Sequence, residues 1–246
     1  MTRRSTIGFD RRLHIEWLDA AAAQAANGVE SEGVRDYLWK LLDGVVSGDK
    51  SNSARGKTVT VLNHIWGDVP QKAVGLRNRA ATQLVDASEV ERLALHWAMM
   101  VGTYPVFTDI AASTGRLLKL QGTFSQAQLT RRLVRVWGER STLLRAIQRI
   151  IRSMIDWGVL QDTETRGIYE QTSPRSINTP EVATLLVEAL LVDAEEDSLA
   201  LEGLVSHPAL FPFELELRPS SLRKKNHLQV HRQGLDADFV ELVGEG

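Results

Sequence analysis

The stretch from Ser141 to Trp157, STLLRAIQRIIRSMIDW, constrains the fold of this chain more than any other. At 100° per residue its aliphatic side chains fall on one face of a helix, and arginines with two polar residues fall on the opposite face. We therefore predict an amphipathic helix that is packed through its aliphatic stripe. The buried stripe consists of Leu143, Ile147, Ile150, Ile151 and Met154, and the opposite face carries Ser141, Arg145, Gln148, Arg149 and Arg152.

Two more helical patterns precede this helix, and a hairpin pattern follows it. The first helix is predicted over 107–120, and the second begins after the N-cap Ser125 and ends at Trp137. Beyond Gly158, strand-like residues at 159–161 and 167–169 flank the polar turn DTETR. The order helix, helix, helix, hairpin predicts a winged helix-turn-helix.

The charge of this region differs from that of the whole chain. Residues 103–158 contain nine Lys or Arg residues and three acidic residues, a local charge of +6, whereas the 246-residue chain has a net charge of −2. A nucleic-acid site would therefore be a local patch. Arginine suits such a site because its planar fork pairs with guanine edges or with phosphate.

We predict that the third helix lies in the major groove of double-stranded DNA while neighbouring arginines contact phosphates. The predicted DNA-binding residues are Arg131, Arg132, Arg135, Arg140, Ser141, Arg145, Gln148, Arg149 and Arg152, with Arg166 in the wing. A basic helix face can also bind an acidic protein, and the fold alone does not decide between these functions.

The segment before the winged helix is predicted to be a helical bundle with short connections. Residues 1–9 form an arm in this interpretation, with Ile7 and Phe9 as anchors. The tryptophans are expected to anchor the core rather than to stack on bases. The predicted helices span 10–26, 30–46, 56–66, 70–84 and 88–101, and the tryptophans are Trp17, Trp39, Trp66, Trp97, Trp137 and Trp157.

The C-terminal segment begins with a helical pattern at 181–192. Residues 181–202 contain seven acidic residues and no Lys or Arg, which favours a solvated helix end. Contact with the basic segment, local repulsion of DNA and binding of a basic partner are the alternatives. Strand-like runs then predict a small sheet, with or without the wing, and 220–225 (SSLRKK) predicts a short basic helix or loop.

These patterns give a mainly α chain with three parts. They are a helical bundle over 1–102, a winged helix-turn-helix over 103–175, and a small α+β extension over 176–246 that contains the acidic helix and a β-rich tail. No apolar run approaches the roughly 20 residues that a membrane span needs. No secretory signal pattern occurs, so the expected location is cytoplasmic.

No catalytic motif is complete, so we expect no enzyme activity, cofactor or metal. The chain has no cysteine, which excludes disulfides, cysteine-ligated zinc and a thiol nucleophile. The sequence from Arg55 to Thr58 ends like a phosphate-binding loop, but Ser51 stands where that motif needs glycine. His227 and His231 share one strand face and are interpreted as polar surface.

Two segments resemble the BrxA family of the BREX phage-resistance systems. They are TYPVFTDIAASTGRLLKL at 103–120 and RSTLLRAIQRIIRSMIDWGVL at 140–160, and the resemblance covers residues 5–170. It implies a small, non-enzymatic, DNA-binding component of a bacterial defence locus. Such a component would act beside a methyltransferase, an ATPase and other proteins of a defence complex.

Two further functions fit the same residues. A winged-helix adaptor in a multi-subunit ATPase or SMC-like complex would present the basic face to an acidic protein partner. A dimeric transcriptional repressor would bind a palindrome with a defined half-site spacing.

Overall fold

Helices dominate the N-terminal part of the computed structural model, which describes residues 6–233 and 237–243. These helices are α1 (Ile15–Ala26), α2 (Ser31–Leu41), α3 (Ala54–Trp66), α4 (Val74–Gln83) and α5 (Glu89–Thr103). The first three pack on one another, and α4 packs on both α1 and α5. None of the described helices combines the length and hydrophobicity needed to cross a lipid bilayer.

Two of the predicted helices are longer than the observed ones. Helix α1 begins at Ile15 rather than at residue 10, because Phe9 and Leu13 are inserted into the core as part of an extended segment. Helix α2 ends before the chain turns at Gly44, whose φ of +70° favours glycine. The apolar spacing predicted that this helix continues to residue 46. Val45 does not belong to the buried face, however, because it is 63% exposed.

The predicted N-terminal anchors are confirmed. Ile7 and Phe9 are buried, and the ring of Phe9 packs on Phe107 with 5.8 Å between ring centroids. We call residues 6–14 the N-terminal strap, because they cross the core without regular secondary structure. Residues 1–5 of the predicted arm lie outside the described residues.

Three helices and three short strands follow, and all of them except the first strand lie close to their predicted limits. They are α6 (Pro105–Gln121), β1 (Thr123–Ser125), α7 (Gln126–Trp137), α8 (Ser141–Asp156), β2 (Leu160–Asp162) and β3 (Ile168–Gln171). The strands form an antiparallel sheet with β3 in the centre, where Tyr169 is opposite Phe124 on one side and Asp162 on the other. Strand β1 was not predicted, because three residues are too few to show an alternating pattern.

The C-terminal part adds one long helix and several small elements. They are β4 (Arg175–Ile177), α9 (Pro180–Asp193), β5 (Ser198–Ala200), α10 (Leu201–Val205), β6 (Phe213–Leu215), α11 (Pro219–Leu222), β7 (Leu228–Gln233) and β8 (Ala237–Leu242). Strands β4 and β6 pair in parallel, and β8 lies between β5 and β7 in a separate antiparallel sheet. The tail therefore contains the predicted small sheet, but its first strand-like run, β6, pairs with β4 instead. Within the described residues the β2–β3 hairpin belongs to neither of these two sheets.

Helix α9 itself is buried along most of its length, and the predicted solvated end is confined to the residues that follow it. It packs on α4 and α5, and Glu188 on it is fully buried. The guanidinium of Arg79 holds the Glu188 carboxylate through contacts of 2.5 and 3.2 Å, and Nε2 of His227 lies 3.1 Å from it. Only the acidic residues at 195–197 form the expected exposed end.

His227 is consequently part of the interior and not of a polar surface. Glu188 and Arg79 are both distant from His227 in the sequence. Neither the local charge count nor the strand pattern therefore indicated that these three side chains form a cluster. The cluster joins α4, α9 and the residues that precede β7.

The buried side chains of all three predicted segments form one cluster. Trp97 lies at their junction, where its Nε1 donates a hydrogen bond of 2.9 Å to the carbonyl of Ala209. The rings of Phe107, Trp157 and Phe213 surround its indole, with 4.9 to 6.3 Å between centroids. The bundle, the α6–α8 region and the C-terminal part therefore pack against shared aromatic side chains.

Replacing Arg79 with methionine should leave the Glu188 carboxylate buried without its main cation. We expect a loss of about 3–5 kcal/mol in the free energy of unfolding at pH 7. Burial alone would raise the pKa of Glu188, but the contacts with His227 and Arg79 hold this pKa below its ordinary value of 4.5. In the wild type, the ionised Glu188 and its cations stabilise the fold at neutral pH. This stabilisation is lost as the pH falls below about 4.5 through the folded-state pKa.

The variant should therefore lose less relative to the wild type at pH 4 than at pH 7, because a protonated Glu188 no longer needs a cation. Urea unfolding at both pH values measures the difference. Arg35→Met on the exposed side of α2 is the control and should change the stability by less than about 0.5 kcal/mol. An equal loss at both pH values would contradict the role given to the carboxylate charge.

Candidate functional site

Helix α8 has the two faces that its sequence predicts. The aliphatic stripe faces the core, and the polar face is directed to solvent, with Arg152 at its less exposed end. The buried residues include Leu143, Ile147, Ile150, Ile151 and Met154, and the exposed ones include Ser141, Arg145, Gln148 and Arg149.

Local interactions set where α7 begins and ends. Ser125 caps α7, because its Oγ accepts a hydrogen bond from the Gln128 amide while the Gln128 side chain accepts one from the Ser125 amide. Helix α7 ends at Gly138, whose φ of +74° would strain other residues. The turn is short, and it brings the start of α8 beside the end of α7.

The N-terminal strap fixes the other end of α8. The buried Oγ of Ser153 accepts a hydrogen bond of 2.8 Å from the Leu13 amide, and Nε1 of Trp157 donates one of 3.0 Å to the Leu13 carbonyl. The guanidinium of Arg12 pairs with Asp156 through both carboxylate oxygens. These contacts join residues about 140 positions apart, so no local sequence pattern predicts them.

The acidic residues of this region are mostly engaged by partners inside the fold. Asp156 is paired with Arg12, and the carboxylate of Asp109 accepts a hydrogen bond of 3.0 Å from Nε1 of Trp137. Glu139 is exposed in the turn between α7 and α8. Asp109 and Asp156 therefore do not offset the exposed arginines, and the acidic groups that do lie near them come from other segments, such as Asp10 and Asp162.

The three arginines of α8 have different surroundings. Nη1 of Arg152 donates a hydrogen bond of 3.1 Å to Asp162, and its guanidinium lies 5.9 Å from the ring centroid of Tyr169. Nε of Arg145 is 3.9 Å from the carboxylate of Asp10 in the strap. Arg149 has no acidic side chain within ion-pair distance among residues 6–233 and 237–243.

The remaining predicted site residues lie on elements that adjoin α8. Arg131, Arg132 and Arg135 are exposed on α7 and form no ion pair with any side chain that the structure describes. Arg140 is exposed at the N-cap of α8, and Arg166 is exposed in the turn of the β2–β3 hairpin. We call the exposed arginines of α7, α8 and this hairpin the arginine surface.

The basic segment at 220–225 is different, because its charges are used within the fold. Arg223 pairs with Asp238 at 3.1 Å, and Lys225 pairs with Glu181 at 3.2 Å. The short helix predicted there corresponds to α11. This segment therefore offers less uncompensated charge than α7.

The residues that resemble a phosphate-binding loop have a structural role. Arg55 is buried in the first turn of α3, where it pairs with Asp43 and its guanidinium lies 4.5 Å from the ring centroid of Trp39. Within the described residues, no group of three His, Asp or Glu side chains is arranged to hold a metal ion.

Comparison with known proteins found no match to a family model, to a curated protein or to a solved structure.

Replacing Ser153 with alanine should leave the buried Leu13 amide without its acceptor. We expect a loss of about 1–3 kcal/mol in the free energy of unfolding, measured by urea denaturation. Ser141→Ala makes the same chemical change at the exposed start of α8 and should change the stability by less than about 0.5 kcal/mol. Equal effects at the two positions would show that the strap does not hold α8 through this bond.

Proposed function

We propose that the protein binds double-stranded DNA through the arginine surface and has no catalytic role. The observation that carries this proposal is the exposure of Arg131, Arg132, Arg135 and Arg149 without a carboxylate partner among the described residues. Uncompensated guanidinium groups on a protein of net charge −2 make a local site for a polyanion. Arginine binds phosphate and guanine edges through the same planar fork.

In this proposal the region from α6 to β3 acts as a winged helix-turn-helix. The order α6, β1, α7, α8, β2, β3 and the central position of β3 support this assignment. Helix α8 would lie in the major groove, and the β2–β3 hairpin would be the wing that brings Arg166 to the backbone. Arg131, Arg132 and Arg135 would contact phosphates beside the groove.

The biological setting that we propose is bacterial phage defence of the BREX kind. It is based on the resemblance of residues 103–120 and 140–160 to the BrxA family. The protein would then act as a DNA-binding component beside a methyltransferase and an ATPase. The arginine surface and its DNA binding do not depend on this setting.

Fluorescence anisotropy of a labelled random duplex tests the DNA-binding proposal. Wild-type affinity should fall as salt rises, with a slope in log K against log salt of about 0.9 per neutralised phosphate. Changing Arg131, Arg135 and Arg149 together to glutamate should weaken binding at least about tenfold at low salt and reduce the slope by about 3.

A matched control makes the same charge change on the N-terminal helices. Arg35, Lys40 and Lys57 are exposed on α2 and α3, and their change to glutamate should leave most of the affinity. An equal loss in both triple variants would mean that net charge, and not the arginine surface, governs binding. Wild-type protein that binds no duplex at low salt would disprove the proposal.

A protein-binding function is the second candidate, because apolar side chains are also exposed on the same two helices. Val136 on α7 is 45% exposed and Leu144 on α8 is 41% exposed. Apolar groups beside arginines are typical of the centre of a protein–protein interface. Changing both residues to serine should preserve duplex binding if DNA is the ligand. If the protein is an adaptor, the same change should abolish binding of a protein partner that competes with DNA for the arginine surface.

A further inference from the structure

The three arginines along α8 form a row in which only the outer two have acidic partners. Arg145 and Arg152 face Asp10 and Asp162, whereas Arg149 between them has no carboxylate partner among the described residues. Positions 145, 149 and 152 lie on one helix face, and they span about 10 Å along its axis.

The two carboxylates come from different elements that pack beside α8. Asp10 belongs to the N-terminal strap, where it also lies 3.3 Å from Nε of Arg11. Asp162 is the last residue of β2 and stands opposite Tyr169, over whose ring the guanidinium of Arg152 lies. Each outer arginine therefore lies at a junction between α8 and a neighbouring segment, where Arg152 is hydrogen-bonded and Arg145 is at ion-pair distance.

We propose that Asp10 and Asp162 compete with DNA phosphate for these outer arginines, so that Arg149 is the first arginine of α8 to bind a phosphate. The inference rests on the proposed DNA-binding function. A carboxylate and a phosphate occupy the same fork of a guanidinium group. DNA must therefore displace the carboxylates before Arg145 and Arg152 can contribute fully.

Competition of this kind lowers the affinity of the protein for duplex DNA without abolishing binding. The side chains of Arg152 and Asp162 are 44% and 48% exposed, and exposed pairs of this type are easily broken. After displacement, the Asp162 carboxylate remains at the junction of the helix and the hairpin, where it repels a nearby phosphate. The two carboxylates thus keep the affinity for random duplex below what the arginine count alone would give.

Asp162→Asn tests the competition, because asparagine keeps the shape of the side chain and removes its charge. We expect duplex affinity to rise about two- to fivefold at low salt, which is the range of an exposed ion pair. The slope of log K against log salt should steepen by up to about 0.9, because Arg152 becomes available to one more phosphate. Glu164→Gln, an exposed acid in the turn of the same hairpin, is the control with the same charge change and should have less effect on both quantities.

A double variant distinguishes competition at Arg152 from a general loss of negative charge. Adding Asp162→Asn to Arg152→Gln should give no gain beyond that of Glu164→Gln. In parallel, Arg149→Gln should weaken binding more than Arg145→Gln or Arg152→Gln, because Arg149 has no internal partner to exchange. Circular dichroism and urea unfolding check that each variant is folded.

The inference is overturned if Asp162→Asn binds like Glu164→Gln, or if it weakens binding, which would make Asp162 a positioning residue for Arg152. In both cases DNA binding by the wild type stands, and only the competition fails. Absence of wild-type duplex binding would instead remove the proposed function and this inference together.

Discussion

The burial of the aliphatic face of α8 is the constraint on which the rest of the structure depends. Complete burial of each Leu, Ile or Met side chain contributes about 1.5–3 kcal/mol, and five of them lie on one side of this helix. The helix therefore cannot rotate without exposing several of these groups. Because the arginines occupy the opposite face, their exposure follows from core packing and needs no interaction of their own.

The position of α8 along its own axis is set by groups outside its aliphatic face. Ser153 and Trp157 tie the C-terminal half of α8 to the Leu13 backbone in the N-terminal strap, and Gly138 limits the length of the turn before it. A small number of hydrogen bonds between buried groups is sufficient to hold α8 against the N-terminal strap, because breaking one of them leaves a buried polar atom unsatisfied. The candidate site is thus supported by the N-terminal strap as much as by its own helices.

Arginine has three distinct roles in this protein, and net charge does not separate them. Arg55 is buried against Trp39 with Asp43, Arg79 compensates the buried Glu188, and Arg149 is exposed without an acidic partner among the described residues. The first two stabilise the fold, because a buried carboxylate or a packed guanidinium needs its partner. Arginines of the third kind can bind an anionic ligand without first displacing a carboxylate.

The sequence by itself determined the helices of the candidate site and the faces they present. The 3.6-residue period of α8, the cap at Ser125 and the glycine after α7 are local signals, so the limits of these elements and the exposure of the arginines followed from them. The core position was predicted correctly for four of the six tryptophans, whereas Trp17 and Trp39 are only partly buried. Trp66, Trp97 and Trp137 are buried, and each indole N–H has an acceptor.

The tertiary structure alone decided which charges remain available. The pairs Arg12–Asp156 and Arg79–Glu188 depend on where distant segments come together, and no local pattern encodes that arrangement. The pair Arg152–Asp162 depends on how the β2–β3 hairpin folds back on α8. For the same reason the buried acid Glu188 within α9 was not predicted, because its compensating groups lie on α4 and before β7. Periodicity reports which face of an element is buried, but charge compensation depends on contacts between elements, and these exist only in the folded chain.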